Sequence, residues 1–180
     1  MLAIIGVLAG LVIGVGRLAG ERGRITRAKA ELAALAAALD DYKRQHGDYP
    51  QVSADNTPEG ETAGRVLYAA LNGQRGPALA SPPLATRRKP LIEHARFQLA
   101  VPGAHEADPN HLLDPWGRAY RYCYNPGPAW RAAGFLLFSG GPDGEVALPL
   151  PGDGVVSAAF ESALLNGRPA NADNLYAHRH

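Results

Sequence analysis

The sequence predicts an α+β fold: one long N-terminal helix packed on a small antiparallel sheet, with a loop-rich C-terminal part. Three observations carry this expectation. An apolar opening, MLAIIGVLAGLVIGVG, runs without a turn signal into a charged amphipathic segment that stops at His46-Gly47-Asp48-Tyr49-Pro50. Two runs in the second half, Arg118–Tyr124 and Gly134–Ser139, have the aromatic and aliphatic content of strands. All 15 prolines lie from Pro50 onward, which keeps regular elements there short.

The helix is justified in two parts. Met1 to Gly16 carries no charge, and Arg17 is the first charged residue. A helix needs about 20 residues to span about 30 Å of hydrocarbon. Leu18, Ala19 and Gly20 supply the rest if Arg17 snorkels to the interface. Residues 1–20 are therefore predicted to lie in a membrane as a single pass. A cleaved signal peptide fits less well, because no basic residue precedes the run and no small-x-small cleavage site follows it. Arg17, Arg22, Arg24, Arg27 and Lys29 all follow the run, so the positive-inside rule taken alone puts the C-terminal side in the cytoplasm.

Residues 21–47 continue the helix. Ile25, Ala28, Leu32, Leu35, Leu39 and Tyr42 recur at steps of three and four, one apolar stripe. Arg24, Lys29, Glu31, Asp40, Lys43 and Arg44 are expected on the face toward water or partners. Gly47 suits the C-terminal cap, and Pro50 cannot continue the helix. Unbroken from Met1 to His46, it would be about 70 Å long at ~1.5 Å per residue.

Residues 48–180 are long enough for one domain with its own core. Glu61–Asn72 reads as a second helix closed by Gly73, Phe97–Val101 as a weaker strand, Gly76–Pro90 as an exposed loop, and Asn125–Arg131 as a turn carrying Trp130. Tyr120, Tyr122 and Tyr124 should share one strand face, with Trp116 in the core. The stripe from Ile25 to Tyr42 is expected to cover the sheet.

Composition excludes several function classes. Lys plus Arg is 18 and Asp plus Glu is 17, so nothing points to nucleic acid. Cys123 is the only cysteine, which rules out an intrachain disulfide. Its place in an aromatic strand suggests core rather than a nucleophile. The histidines at 46, 94, 105, 111, 178 and 180 have no metal spacing except His178-x-His180. No Gly-x-Ser-x-Gly or phosphate-binding loop occurs, and Asp114-Pro115 reads as a turn rather than a catalytic acid. No enzyme is predicted. SGGPDGE places Asp143 in a glycine-rich turn with exposed carbonyls, and Asp173 and Asn174 add side-chain oxygens near the chain end. Taken by themselves these read as turn residues.

Several segments together resemble a known family. AIIGVLAGL at Ala3–Leu11, the amphipathic continuation and the Tyr49-Pro50 stop are similar to the N-terminal helix of type IV pilin-like proteins. Asp114-Pro115-Trp116-Gly117 before an aromatic strand, Phe138–Glu145 (FSGGPDGE) and Ala172–Tyr176 (ADNLY) resemble the major pseudopilins of type II secretion. The likeness covers about residues 1–50, 112–145 and 171–176; residues 146–170 read as an insertion.

The resemblance implies a pilin-like fold in which residues 1–20 form the membrane anchor and filament core and 48–180 a periplasmic domain. It implies a structural subunit of a secretion pseudopilus in the bacterial inner membrane. That subunit would polymerise with copies of itself and with minor pseudopilins, on an inner-membrane secretion platform and in contact with membrane lipid. A minor pilin of a type IV or DNA-uptake pilus is the alternative reading, and a membrane-anchored periplasmic enzyme a third. By the match at Ala3–Leu11, about eight residues of a mature pilin and its basic leader would precede this start, which would meet the charge objection. The resemblance further implies a calcium ion held by Asp143 and Asp173, with Asn174 as a weaker ligand. Asp153 and Glu161 in the insertion are rivals.

Overall fold

The computed structural model describes residues 2–57, 59–102, 109–165, 168–171 and 173–177. Within the first helix, side chains are described from Gly20 onward. The predicted membrane segment 1–20 thus lies outside the described side chains except at Gly20. Among the described residues no helix is long and apolar enough to cross a membrane.

Helix α1 runs Leu2–His46 and stops as its sequence predicts, with the Gly47 N–H donating to the Lys43 carbonyl at 2.8 Å. The stripe is buried from Ala28 on: Leu32, Leu35, Leu39 and Tyr42 are at most 1% exposed. Helix α2, Glu61–Leu71, ends at Asn72 and Gly73 and packs on the same core through Ala63, Leu67, Ala70 and Leu71. Its start is capped from a distance. The buried Asp55 carboxylate accepts from the Ala63 N–H at 3.1 Å and from Thr57, taking up a donor that the first helical turn leaves free.

The strands are shorter than the sequence suggests, and they form three small antiparallel sheets. β1 (Gln98–Leu99) pairs with β2 (Leu112–Leu113). The central sheet has the order β3 (Arg121–Cys123), β4 (Leu136–Ser139), β7 (Leu175–Tyr176). β5 (Leu164–Leu165) pairs with β6 (Arg168–Pro169) beside the four-residue helix α3, Ala158–Glu161. Arg118–Tyr124 contracts to three strand residues because Leu113↔Ala119 and Val52↔Tyr124 are single bridges, not ladder.

Alternation places Tyr120, Tyr122, Tyr124, Phe135 and Leu137 on the face covered by α1 and α2. Cys123, Leu136 and Phe138 point the other way and are covered by Leu150, Val146, Val156 and Phe160. The stretch 146–160 therefore roofs the second face of the sheet. This is why Cys123 is buried, its thiol pushed up to about 11 by burial.

Two side chains depart from the sequence reading. Glu31, expected on the outer face, is 6% exposed. It accepts from the Tyr120 hydroxyl at 2.6 Å and from Arg27 Nε at 2.7 Å, so the charge is buried with partners. Trp116, expected in the core, is half-buried and donates from Nε1 to Glu21 at 2.9 Å. The tyrosines of the helix-facing side each reach a polar group: Tyr122 bonds the Pro50 carbonyl at 2.8 Å, and Tyr124 bonds Asp48 at 2.7 Å.

Burial and the Glu31 hydrogen bond raise the Tyr120 phenol well above its ordinary value, so it stays a donor at every physiological pH. Replacing it leaves a buried carboxylate short of a partner. Tyr120→Phe should lower the unfolding free energy by about 1–3 kcal/mol, read from urea melts at unchanged slope. A change under a few tenths of a kcal/mol would mean that Glu31 is not held by this bond.

Candidate metal centre

The candidate site is built by two turns that meet at the end of β4. The first is Asp114-Pro115-Trp116-Gly117-Arg118. The Gly117 N–H donates to the Asp114 carbonyl at 2.9 Å, and the Asp114 N–H to the Arg118 carbonyl at 2.7 Å. Gly117 sits at φ 85°, where a side chain would strain the backbone. The Asp114 carboxylate is fully buried inside this turn and accepts from the Trp116 and Arg118 N–H groups, each at 3.0 Å. The turn reading of Asp114 agrees with this geometry.

The second turn is Ser139–Glu145. The Gly144 N–H donates to the Gly140 carbonyl at 3.1 Å, and the Glu145 N–H to Asp143 Oδ1 at 2.9 Å. Gly141 has φ 67° and lies against Asp173, and a side chain there would collide with the Asp173 carbonyl oxygen. The Asp143 N–H donates to Asp173 Oδ2 at 3.2 Å. The two carboxylates singled out by sequence, thirty positions apart, thus meet in one place.

Asn174 follows, buried, with Nδ2 donating to Asn171 Oδ1 at 2.9 Å. Asn171 was not singled out in the sequence. Its Oδ1 also accepts from the Ala147 N–H at 3.1 Å, and its Nδ2 donates to the Phe160 carbonyl at 2.5 Å. It thereby ties the roof segment to the chain end. A lone Asn before Ala172 carries no motif that would have revealed this.

Two oxygens at this junction, Asp173 Oδ1 and Asn174 Oδ1, are buried with no hydrogen-bond partner among the described residues. Buried polar atoms are normally satisfied, so such orphans call for a missing partner. Burial pushes the Asp173 carboxyl above its ordinary value, and the nearby Asp143 charge pushes in the same direction. Both are what a bound cation would reverse. The donor set is all oxygen, the chemistry of a hard cation.

No third acid joins the pair: among the described residues there is no cluster of three or more His, Cys, Asp or Glu. Asp153 instead closes its own turn on the Val155 N–H at 3.1 Å, with Arg131 at 3.9 Å, and Glu161 ends α3. Further ligands would have to be carbonyls, Asn174 or water. Those of Gly140 and Pro142 already accept from the Gly144 N–H and from Arg118 Nη2, but each carbonyl oxygen has two lone pairs. His178 and His180 lie outside the described residues.

Beside the loop lies a cleft of about 190 Å³ lined by Glu59, Glu61, His111, Arg118 and Arg121 together with Gly140 and Gly144. Among the described residues no Ser, Thr, Cys or Lys lines it. Burial lowers the His111 pKa from its ordinary 6.5, and the Glu61 charge only partly offsets this. The native state thus takes up its proton at lower pH than the unfolded chain. The resulting stability is whole above 6.5 and is lost as pH falls below it. His46, lowered by burial and by Arg88, acts in the same direction.

Comparison with family models, with characterised proteins and with solved structures found no match. The melting temperature should fall as pH is lowered from 7 toward 5, and His111→Gln should flatten but not abolish that slope, because His46 remains. Equal slopes for wild type and variant would remove His111 from the acid response.

Proposed function

We propose that this chain is a membrane-anchored pseudopilin, a structural subunit of a type II secretion pseudopilus that polymerises through its N-terminal helix to drive protein export. One observation carries the reading. A single helix, Leu2–His46, has one face of its second half buried in the domain, while its positions 2–16 carry the uncharged apolar sequence. A helix of that kind can leave lipid and be reburied against the helices of neighbouring copies, since apolar surface gains in either setting. The reading assigns no catalytic residue. It places the chain once through the bacterial inner membrane, with the domain in the periplasm, beside minor pseudopilins and the secretion platform.

The meeting of Asp143 with Asp173 supports the calcium part of the proposal. Asp143, Asp173 and the Asn174 side-chain oxygen would hold the ion. The bound ion would supply positive charge to two acids that otherwise repel, and fix the loop to the chain end. The orphaned Asp173 and Asn174 oxygens fit that role.

Two outcomes test the proposal. A topology reporter fused after His180 should be active in the periplasm only; activity confined to the cytoplasm would overturn the anchor reading. Calcium should raise the melting temperature over that in chelator, about 2.7 kcal/mol of stabilisation at a hundredfold excess over the dissociation constant. Asp173→Ala should erase the difference. Superimposable melts with calcium and chelator would remove the ion and leave the filament reading to stand on the helix.

A further inference from the structure

We propose that Ser139 and Asp114 are positioning residues for the metal loop, setting its affinity for the cation without touching it. The inference rests on the calcium reading above. Asp114 and Ser139 are both fully buried, and Asp114 Oδ2 accepts from the Ser139 hydroxyl at 2.6 Å. Ser139 Oγ in turn accepts from the Gly141 N–H at 3.1 Å. All three bonds to the Asp114 carboxylate are accepted ones, from two backbone N–H groups and the hydroxyl.

The direction of this chain is forced. A carboxylate that only accepts fixes the hydroxyl proton toward itself, and the hydroxyl lone pair is left for Gly141. The bond to a charged acceptor is the stronger kind. Gly141 is the residue whose backbone lies against Asp173. Ser139 is also the strand partner of Leu175, the residue after Asn174. It therefore stands between the two arms that bring Asp143 and Asp173 together.

Arg118 gives Asp114 a second line to the same loop. Its N–H is held by Asp114 Oδ1, while its guanidinium donates to the Pro142 carbonyl at 2.9 Å and fills the space over Gly144. The Asp-Pro-Trp-Gly turn and the Ser-Gly-Gly-Pro-Asp-Gly loop, 25 residues apart at the Asp114–Ser139 bond, thus form one hydrogen-bonded unit. Groups that orient metal ligands from behind typically change metal affinity ~10–100-fold when removed.

The test uses the full chain in detergent, titrated with calcium chloride by calorimetry. Ser139→Ala should weaken calcium binding ~10–100-fold and speed amide exchange across 140–145. Leu136→Val, on the same strand but facing the second core, is the control: it should lower the melting temperature and leave the calcium dissociation constant unchanged. Asp114→Asn should act like Ser139→Ala where it folds, and Ser139→Ala carries the test where it does not. Wild type that binds calcium with a Ser139→Ala variant of equal affinity would overturn the positioning role and leave the metal site standing. Folded wild type that takes up no calcium would overturn both. A Leu136→Val variant weakened as much as Ser139→Ala would reduce the effect to general stability and overturn the inference.

Discussion

The rest of the structure depends on the burial of one stripe of α1 against one face of a three-stranded sheet. Ala28, Leu32, Leu35, Leu39 and Tyr42 lose essentially all exposure there. Leu32, Leu35, Leu39 and Tyr42 share one core with the large side chains Tyr120, Tyr122, Tyr124, Phe135 and Leu137. No strand of the central sheet exceeds four residues, and so short a sheet is marginal without a packed partner. The helix supplies that partner. The tyrosine hydroxyls then fix its position along the sheet, because Tyr120 finds Glu31 within the docked half and Tyr124 finds Asp48 just past the helix end.

Burying both faces of so small a sheet leaves little room for irregular chain, yet the segment 146–157, which begins the roof, forms no helix or strand. Its answer is to contribute few side chains at well-spaced points. Leu150 is 3% exposed, and Val146, Val156 and Phe160 pack around it. Backbone groups that no ladder satisfies are taken up by side chains: Asn56 accepts from the Leu150 N–H at 2.8 Å, and Asn171 from the Ala147 N–H. The described residues of β5 and β6 belong to neither core, and Leu164 remains 67% exposed.

The long helix, its stop and the inward stripe were legible because a 3.6-residue period over twenty residues is a strong signal. The α+β class and the shared face of Tyr120, Tyr122 and Tyr124 followed from period two. Glu31 was misplaced for a physical reason. Helical spacing gives a residue's angle but not whether a strand tyrosine across the core will meet it, so a charge at the stripe's edge looks solvated. Trp116, expected in the core, has an indole N–H that needs a partner and sits where α1 offers Glu21. At the site, the resemblance alone singles out Asp143 and Asp173 together, since nothing in local sequence spans thirty positions; their contact is visible only in the fold. The hydroxyl bonds of Ser139 and the bridging role of Asn171 are not legible in the sequence. Such contacts are long-range and polar, and they leave no periodic trace.

The placement of the two acids explains why an ion would matter to this domain in particular. The chain leaves the sheet after Ser139 and re-enters it at Leu175, and Asp143 and Asp173 stand at the two ends of that excursion. Among the described residues the only ladder inside it is the two-residue pairing of β5 with β6, and the only helix has four residues. The excursion therefore has little stability of its own, although it must hold the roof over Cys123, Leu136 and Phe138. A disulfide at its base is the usual staple for such a loop, and a chain with Cys123 alone cannot make one. Closing a loop at its base removes freedom mainly from the unfolded chain, and the gain grows slowly with loop length. In the proposed reading a cation held between Asp143 and Asp173 closes the same base, but by binding the folded state alone. Because it is reversible, the roof over the second face would be firm only where the ion is present.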